Sequence, residues 1–370
     1  MLRNYMGIIN LEESEKNIRS LTKFRPLATV PVAGRYRMID FVMSGMVNAG
    51  IKLVSVFANK ATRSLPDHIG NGKPWDLDRK TDGLFLFNNN LLGGSVDRDG
   101  GSGYASHIEF LNKANCDNVI VCSSYMVCNI DLEVVGEYFE ESGADIVAVY
   151  KKINNGETAF LNCDAYKMDQ NNLIKSAYKN IGIENDLNIS MEMFVMKKKT
   201  LSEILYKAVS DGVSKNFKKY LYENMSGYTV KGFEFTGYLS CVNSIDSYYR
   251  TNMNMLELNV LGELFNKKAP VYTKTKDSPP TQYVAGSNVK HSIVADGTII
   301  KGEVTNSIIS RSVVIEEDVK IDGCIILQNA VVKKGSNLTN VIVDKGVVVD
   351  ANTFVNCPLQ YPLVLEKKKY

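Results

Sequence analysis

The feature that most limits what this 370-residue chain can fold into lies in its last quarter. Four six-residue blocks share one pattern: Val289-Lys-His-Ser-Ile-Val294, Val304-Thr-Asn-Ser-Ile-Ile309, Ile321-Asp-Gly-Cys-Ile-Ile326 and Leu338-Thr-Asn-Val-Ile-Val343. Each opens on an aliphatic residue, continues with small or polar ones and closes on aliphatics. The blocks begin 15, 17 and 17 residues apart. A second set interleaves with them: Ile299-Ile300, Val313-Val314, Val331-Val332 and Val347-Val348, with Gly302, Asp318, Gly335 and Gly346 at the corners. A period of about 18 residues built from hexads is one turn of a parallel β-helix with three short sides. Aliphatics stack inward from coil to coil, and small residues allow the sharp corners. A β-sandwich has no reason to keep this spacing.

The chain up to about residue 265 has a different pattern. Lys52–Phe57, Asn118–Cys122 and Asp145–Tyr150 are short apolar runs rich in β-branched residues, which predicts buried strands of a mostly parallel sheet. Between them, Leu132, Val135, Gly136 and Phe139 mark one face of a helix that Gly143 terminates. Alternating β and α elements predict an α/β domain over 1–266. A Lys-, Thr- and Pro-rich stretch with Pro279-Pro280 reads as a linker over 267–285, leaving the β-helix to 286–370.

Composition narrows the function. Lys plus Arg is 43 and Asp plus Glu is 41, a net charge of +2 that argues against a generic nucleic-acid binder. Lys367-Lys368-Lys369 reads as a solvated tail. No apolar run approaches the roughly 20 residues needed to span a bilayer, and Met1–Asn10 lacks a signal peptide's apolar core and cleavage site. The seven Cys contain no Cys-x-x-Cys, which disfavours disulfides and structural zinc and predicts a reducing, cytoplasmic setting. Cys122, Cys128 and Cys241 read as packing residues. Three scattered His make a His-rich metal site improbable.

The stretch Arg25-Pro-Leu-Ala-Thr-Val-Pro-Val-Ala-Gly-Arg-Tyr-Arg-Met-Ile-Asp-Phe41 resembles the R-A-K-P-A-V-P-F-G-G-K-Y-R-I-I-D-F segment of bacterial glucose-1-phosphate adenylyltransferases (ADP-glucose pyrophosphorylases). Val47–Ile51 continues the match, Ser190-Met191 matches the family's S-M-G-I-Y-V-F strand, and Ile245-Asp246-Ser247-Tyr248 its D-V-G-T-I-D-S-Y segment. The resemblance spans essentially the whole chain. It implies a Rossmann-like nucleotidyltransferase domain with a mixed, mostly parallel sheet, followed by a left-handed parallel β-helix of hexapeptide repeats. Family enzymes join glucose 1-phosphate to the α-phosphate of ATP and release pyrophosphate. Such chemistry needs backbone N–H groups and basic side chains around the phosphates and carboxylates on Mg²⁺.

Aligned against that machinery, the chain lacks it. The family's A-G-G-x-G-x-R-L phosphate loop falls on Leu11–Ile18, which places Glu12, Glu13 and Glu15 in the loop and Asn17 at the catalytic Arg. Glycine permits a close backbone approach to phosphate that these residues do not. The Lys of R-A-K-P falls at Leu27, and the two metal-binding Asp fall at Tyr125 and Cys241. Neither phenol nor thiol is a normal Mg²⁺ ligand. The resemblance therefore implies no catalytic residues and no bound cofactor in this chain, with Mg²⁺ and ATP used by a catalytic partner.

The sugar-phosphate side is altered less. Gly101, Ser102 and Tyr104 lie in the family's G-T-A-D-A segment, Tyr178-Lys179 in its F-x-E-K-P, and Asp164 at the glycine of its F-G-V-M. Lys179 and Ser190 match family glucose 1-phosphate contacts, so Lys179, Ser190, Tyr178, Asp164, Gly101 and Ser102 outline a vestigial glucose-1-phosphate pocket, although Lys179 reads equally as a surface lysine. Arg25, Arg35 and Arg37 align with basic positions that bind sugar-phosphate effectors in the family; the alternative is a structural salt bridge, for example Arg37 with Asp40.

The pattern resembles the GlgD-type second subunit. That implies a regulatory role in glycogen biosynthesis, inactive or nearly inactive alone, in a tetramer with a catalytic subunit or with itself, responsive to a sugar-phosphate effector, with no nucleic acid or membrane partner. Two alternatives stand beside it: a divergent active adenylyltransferase with carboxylates relocated to Asp131 or Asp246, and a hexapeptide acyltransferase using His291.

Overall fold

The computed structural model describes residues 1–58, 62–88, 102–211 and 217–367. The chain packs as two compact units, the first of Met1–Glu13, Phe41–Ser240 and Asn266–Tyr272, the second of Ser14–Asp40, Cys241–Phe265 and Thr273–Tyr370. This corrects the expected division into 1–266, a linker over 267–285, and 286–370. Residues 14–40 and 241–265 compact with the β-helix, because their polar and aromatic side chains are satisfied there. Arg25 pairs with Asp344, and Tyr249 bonds to Gly323. Nor is 267–285 a free linker. The carbonyls of Ala269 and Pro270 accept from Asn129 and Asn48, and Gln282–Tyr283 already pairs with Ile299–Ile300.

In the first unit, nine strands form one sheet: β1 (Tyr5–Leu11), β2 (Leu53–Ala58), β3 (Gly83–Asn88), β4 (Asn118–Cys122), β5 (Ile146–Ile153), β6 (Asp164–Met168), β7 (Ile174–Lys179), β8 (Leu187–Lys197) and β9 (Val230–Glu234). Their order is β7-β6-β8-β4-β1-β2-β3, with β5 pairing β8 and β9. The three strands read from apolar runs are β2, β4 and β5. β1 runs parallel to β2 and β4 and is buried along its whole length, as expected where helices cover both faces. β8 is antiparallel to β4, β5 and β6, so the sheet is mixed. Of the helices, α1 (Ser102–Lys113) precedes β4 and α2 (Leu132–Ser142) follows it. α2 forms as its sequence predicts. Asp131 accepts from the N–H of Glu133 at 2.9 Å, the predicted apolar face is buried, and Gly143 ends the helix at φ +65°. α3 (Phe217–Glu223) lies before β9.

In the second unit, three five-stranded parallel sheets form the sides of the β-helix. Val304, Ile321 and Leu338 stack in register on one side, and Ile309, Ile326 and Val343 on another, all buried. Each side has five strands where the blocks marked four, since Phe354–Asn356 and Leu363–Leu365 extend two sides and Gln282–Tyr283 the third, all without the hexad pattern. The third side takes Val314–Ile315 and Val348–Val349, one residue later than the marked pairs, because Ile315 and Val349 are the inward residues. Asp318, Gly335 and Gly346 turn corners at positive φ. Gly302 serves a different purpose: a Cβ there would strike the Val319 carbonyl oxygen of the next coil.

α4 (Ile245–Asn254) starts at a capping box between Ser244 and Ser247. Its Tyr248 hydroxyl donates to the Pro31 carbonyl at 2.7 Å, and its Tyr249 hydroxyl to the Gly323 carbonyl at 2.6 Å, 3.0 Å from Asn340 Oδ1. Tyr249→Phe keeps the ring and strands a buried carbonyl, so it should cost about 1–3 kcal/mol in a urea melt. A loss within error would show that this contact does not hold α4 to the β-helix.

Candidate functional site

The chemistry-bearing side chains of the first unit converge on a bulge in β8. Pairing of β8 with β5 is irregular between Ser190 and Phe194, and Glu192 sits there at φ +52°. A non-glycine residue in this region is strained by about 1–3 kcal/mol and persists only where its surroundings hold it. Glu192 Oε1 accepts from the Tyr125 hydroxyl at 2.5 Å and is ion-paired with Lys218 on α3. Lys218 Nζ reaches Asp164 Oδ2 at 2.8 Å, and Lys179 Nζ reaches Asp164 Oδ1 at 2.7 Å. Beside them Ser190 Oγ lies 2.7 Å from the Tyr166 hydroxyl and 3.0 Å from that of Tyr222, and accepts from the N–H of Glu192.

Burial makes this network consequential, because the Asp164 and Glu192 side chains are each 6% exposed. Burial opposes the Asp164 charge, but Lys218 and Lys179 outweigh it and hold the carboxyl below its ordinary range. Burial likewise opposes the Lys218 charge, and Glu192 with Asp164 reverses that, raising its pKa.

Glu12 and Glu13 follow the end of β1. Glu13 Oε1 accepts from both the N–H and the hydroxyl of Ser124, at 2.6 and 2.7 Å. Burial, with the neighbouring charge of Glu13, pushes the Glu12 carboxyl up to about 8. Burial pushes Glu13 up to about 7 even though the Ser124 bonds favour its charge. Tyr104 on α1 is buried with no partner for its hydroxyl among the described residues, and burial and Glu12 raise its pKa. Gly7 is a packing glycine inside β1, where a Cβ would strike Met46 Sδ, and is not part of a phosphate loop.

The structure thus brings Tyr125, Asp164, Lys179 and Ser190 together. Tyr178 stands apart, bonded to Glu184 at 3.2 Å. Gly101 lies outside the described residues, as does the side chain of Ser102. In the second unit, Asn17 is exposed in a short turn, Leu27 is buried with its N–H donating to Glu15, and Cys241 is buried. Sequence reading missed Glu192 and Lys218. Glu192 had a signal, since it follows Ser190-Met191 where the family motif has glycine; Lys218 had none.

The arrangement does not fit the family's Mg²⁺ and triphosphate. A phenol occupies one metal-ligand position, and among the described residues no group of three or more His, Cys, Asp or Glu is placed to hold a metal. The backbone N–H of Ser124 and the ammonium of Lys218, donors of the kind that bind phosphate, are spent on Glu13, Asp164 and Glu192.

The second unit carries a cationic cluster. Arg25 donates Nε to the Leu21 carbonyl and pairs with Asp344, so it is structurally committed. Arg35 lies over the Tyr36 ring at 5.2 Å. The bond from Arg37 to Asp40 comes from the Arg37 backbone N–H, at 2.9 Å. Burial, with Arg25 and Arg311 nearby, brings Arg37 down to about 10. Arg311 is buried, and its Nε has no partner among the described residues. Burial and the charges of Lys345, Arg37, Arg311 and Lys274 lower Lys276. His291 holds Asn306 at 2.8 Å in a β-helix corner.

No helix of the described residues is long and apolar enough to cross a membrane. A nucleotidyl transferase family model matches residues 15–160, and a GlmU-like C-terminal hexapeptide model matches residues 279–359. The chain is 31% identical to the glycogen biosynthesis protein GlgD of Bacillus subtilis, over 99% of this chain and 97% of that one. It is 32% identical to GlgD of Geobacillus stearothermophilus over 85% and 82%, and 26% identical to the glucose-1-phosphate adenylyltransferase of Mycoplasma mobile over 82% and 81%. With both domain types in order and GlgD matched nearly end to end, the chain belongs to the bacterial GlgD and glucose-1-phosphate adenylyltransferase family of glycogen biosynthesis.

Proposed function

We propose that this chain is a regulatory subunit of a glucose-1-phosphate adenylyltransferase, non-catalytic or nearly so, working in the cytoplasm in a tetramer with a catalytic homologue that supplies the ATP and Mg²⁺ chemistry. One observation carries the reading: Glu13, Glu192 and Asp164 hold the donors that a triphosphate would need. The relatives named GlgD, a glycogen biosynthesis protein, support the pathway. The cluster of Arg35, Arg37, Lys276 and Arg311 supports a phosphate-bearing effector as the regulatory input, with Arg25 as its scaffold. The divergent-enzyme reading is disfavoured because Asp131 caps α2 and Asp246 pairs with Arg250 at 3.0 Å.

The purified chain should show no turnover of ATP and glucose 1-phosphate with Mg²⁺. Mixed with its catalytic homologue, it should co-elute and change the rate, the affinity or the effector response. Turnover alone that disappears on changing Asp131 or Asp246 sinks the non-catalytic reading; co-elution without any kinetic change sinks the regulatory one.

A further inference from the structure

We propose that the first unit carries a second small-molecule site, one that takes an anionic, hexose-sized polyol. A cavity of about 260 Å³ opens there, lined by Asn48, Lys52, Trp75, Asp76, Arg79 and Tyr272 among others. It is smaller than the roughly 300–1,000 Å³ of pockets that hold drug-sized ligands, which suits a single sugar ring better than a nucleotide.

The lining sets the chemistry. Arg79 is neutralised by Asp76, to which it is ion-paired and to whose carbonyl its Nε donates at 2.7 Å. Lys52 is exposed and has no ion pair among the described residues, so the site keeps one positive charge for an anion. Asn48 and Asp76 bring amide and carboxylate acceptors for hydroxyl groups. The exposed ring of Tyr272 offers apolar surface for the C–H face of a sugar.

Two further features mark the site as built. Asp76 is held at φ +53° between glycines 72 and 83, themselves at +83° and +92°, a concentration of left-handed backbone of the kind found at ligand sites. The Trp75 side chain is buried, and its indole N–H has no acceptor among the described residues, a desolvation cost left unrecovered in the free protein. This site shares no residue with the cationic cluster and does not depend on the regulatory reading.

Trp75 is the chain's single tryptophan, so intrinsic fluorescence reports on this cavity. The full chain is titrated with glucose 6-phosphate, gluconate, glucose and inorganic phosphate up to about 10 mM, above the range of weak millimolar sites. A saturable change with glucose 6-phosphate or gluconate is expected, and which of the two binds tighter separates a phosphate from a carboxylate ligand. Lys52→Glu, an exposed change that should leave the melting temperature intact, should raise the half-saturating concentration about tenfold or more. Arg311→Gln should not. No saturable change with either anion, an equal response to glucose or inorganic phosphate, or an unaltered response in Lys52→Glu overturns the proposal.

Discussion

Lys218→Ala is expected to destabilise the first unit by about 3–5 kcal/mol, the cost of leaving buried charges unpaired. Lys218 joins two carboxylates that are almost wholly buried. Asp164 would keep Lys179, but Glu192 would lose its only ion pair among the described residues, at a backbone position already strained. Lys218→Arg should recover most of the loss, since a guanidinium can reach the same oxygens. Lys179→Ala, whose side chain is 55% exposed, should cost no more than about 1 kcal/mol. Urea melts of the three variants check this. If Lys218→Ala melts with Lys179→Ala, the network is surface decoration and does not organise the site.

Stability should fall as pH rises from about 5 to 8, a trend opposite to that of ordinary salt-bridged carboxylates. Glu12 is held up to about 8 and Glu13 up to about 7, against an ordinary value of 4.5. Across that window the folded chain binds protons that the unfolded chain has released, so raising the pH favours unfolding, and the effect ends above about 8. A fully shifted group contributes at most about 1.4 kcal/mol per pH unit. Both glutamates keep some solvent contact, so the two together should make the protein on the order of 1–3 kcal/mol more stable at pH 6 than at pH 8. Asp164 acts in the other direction: its contribution is present above its ordinary value of 3.8 and is lost as pH falls below it, which bounds the window from beneath. Glu12→Gln with Glu13→Gln should flatten the profile. A slope that survives the double substitution assigns it to other groups.

These titrations also change how the glutamates act. The family resemblance puts Glu12, Glu13 and Glu15 where the phosphate loop would stand. Burial leaves Glu12 and Glu13 partly protonated near neutrality, so the proposed non-catalytic role rests on Ser124 and Lys218 already having partners rather than on negative charge.

Much of the architecture was legible because it is periodic. The hexads gave the β-helix, since inward stacking must repeat every coil, and α2 was readable in its apolar face and its stop at Gly143. Where periodicity failed, so did the reading. The terminal coil of Phe354 and Leu363 carries exposed apolar residues in place of the hexad pattern, and the unit boundaries depend on pairs such as Arg25 with Asp344 that are far apart in the chain.

The sequence by itself determined the two fold types and the family, because both are a matter of which residues recur or stand at motif positions. Only the tertiary structure decided how the site's side chains meet. Lys218 meets Glu192 and Asp164 from 26 and 54 positions further along the chain, and the charge state of Glu12 and Glu13 follows from burial. Desolvation and ion pairing depend on distance in space, and a linear chain does not state that distance.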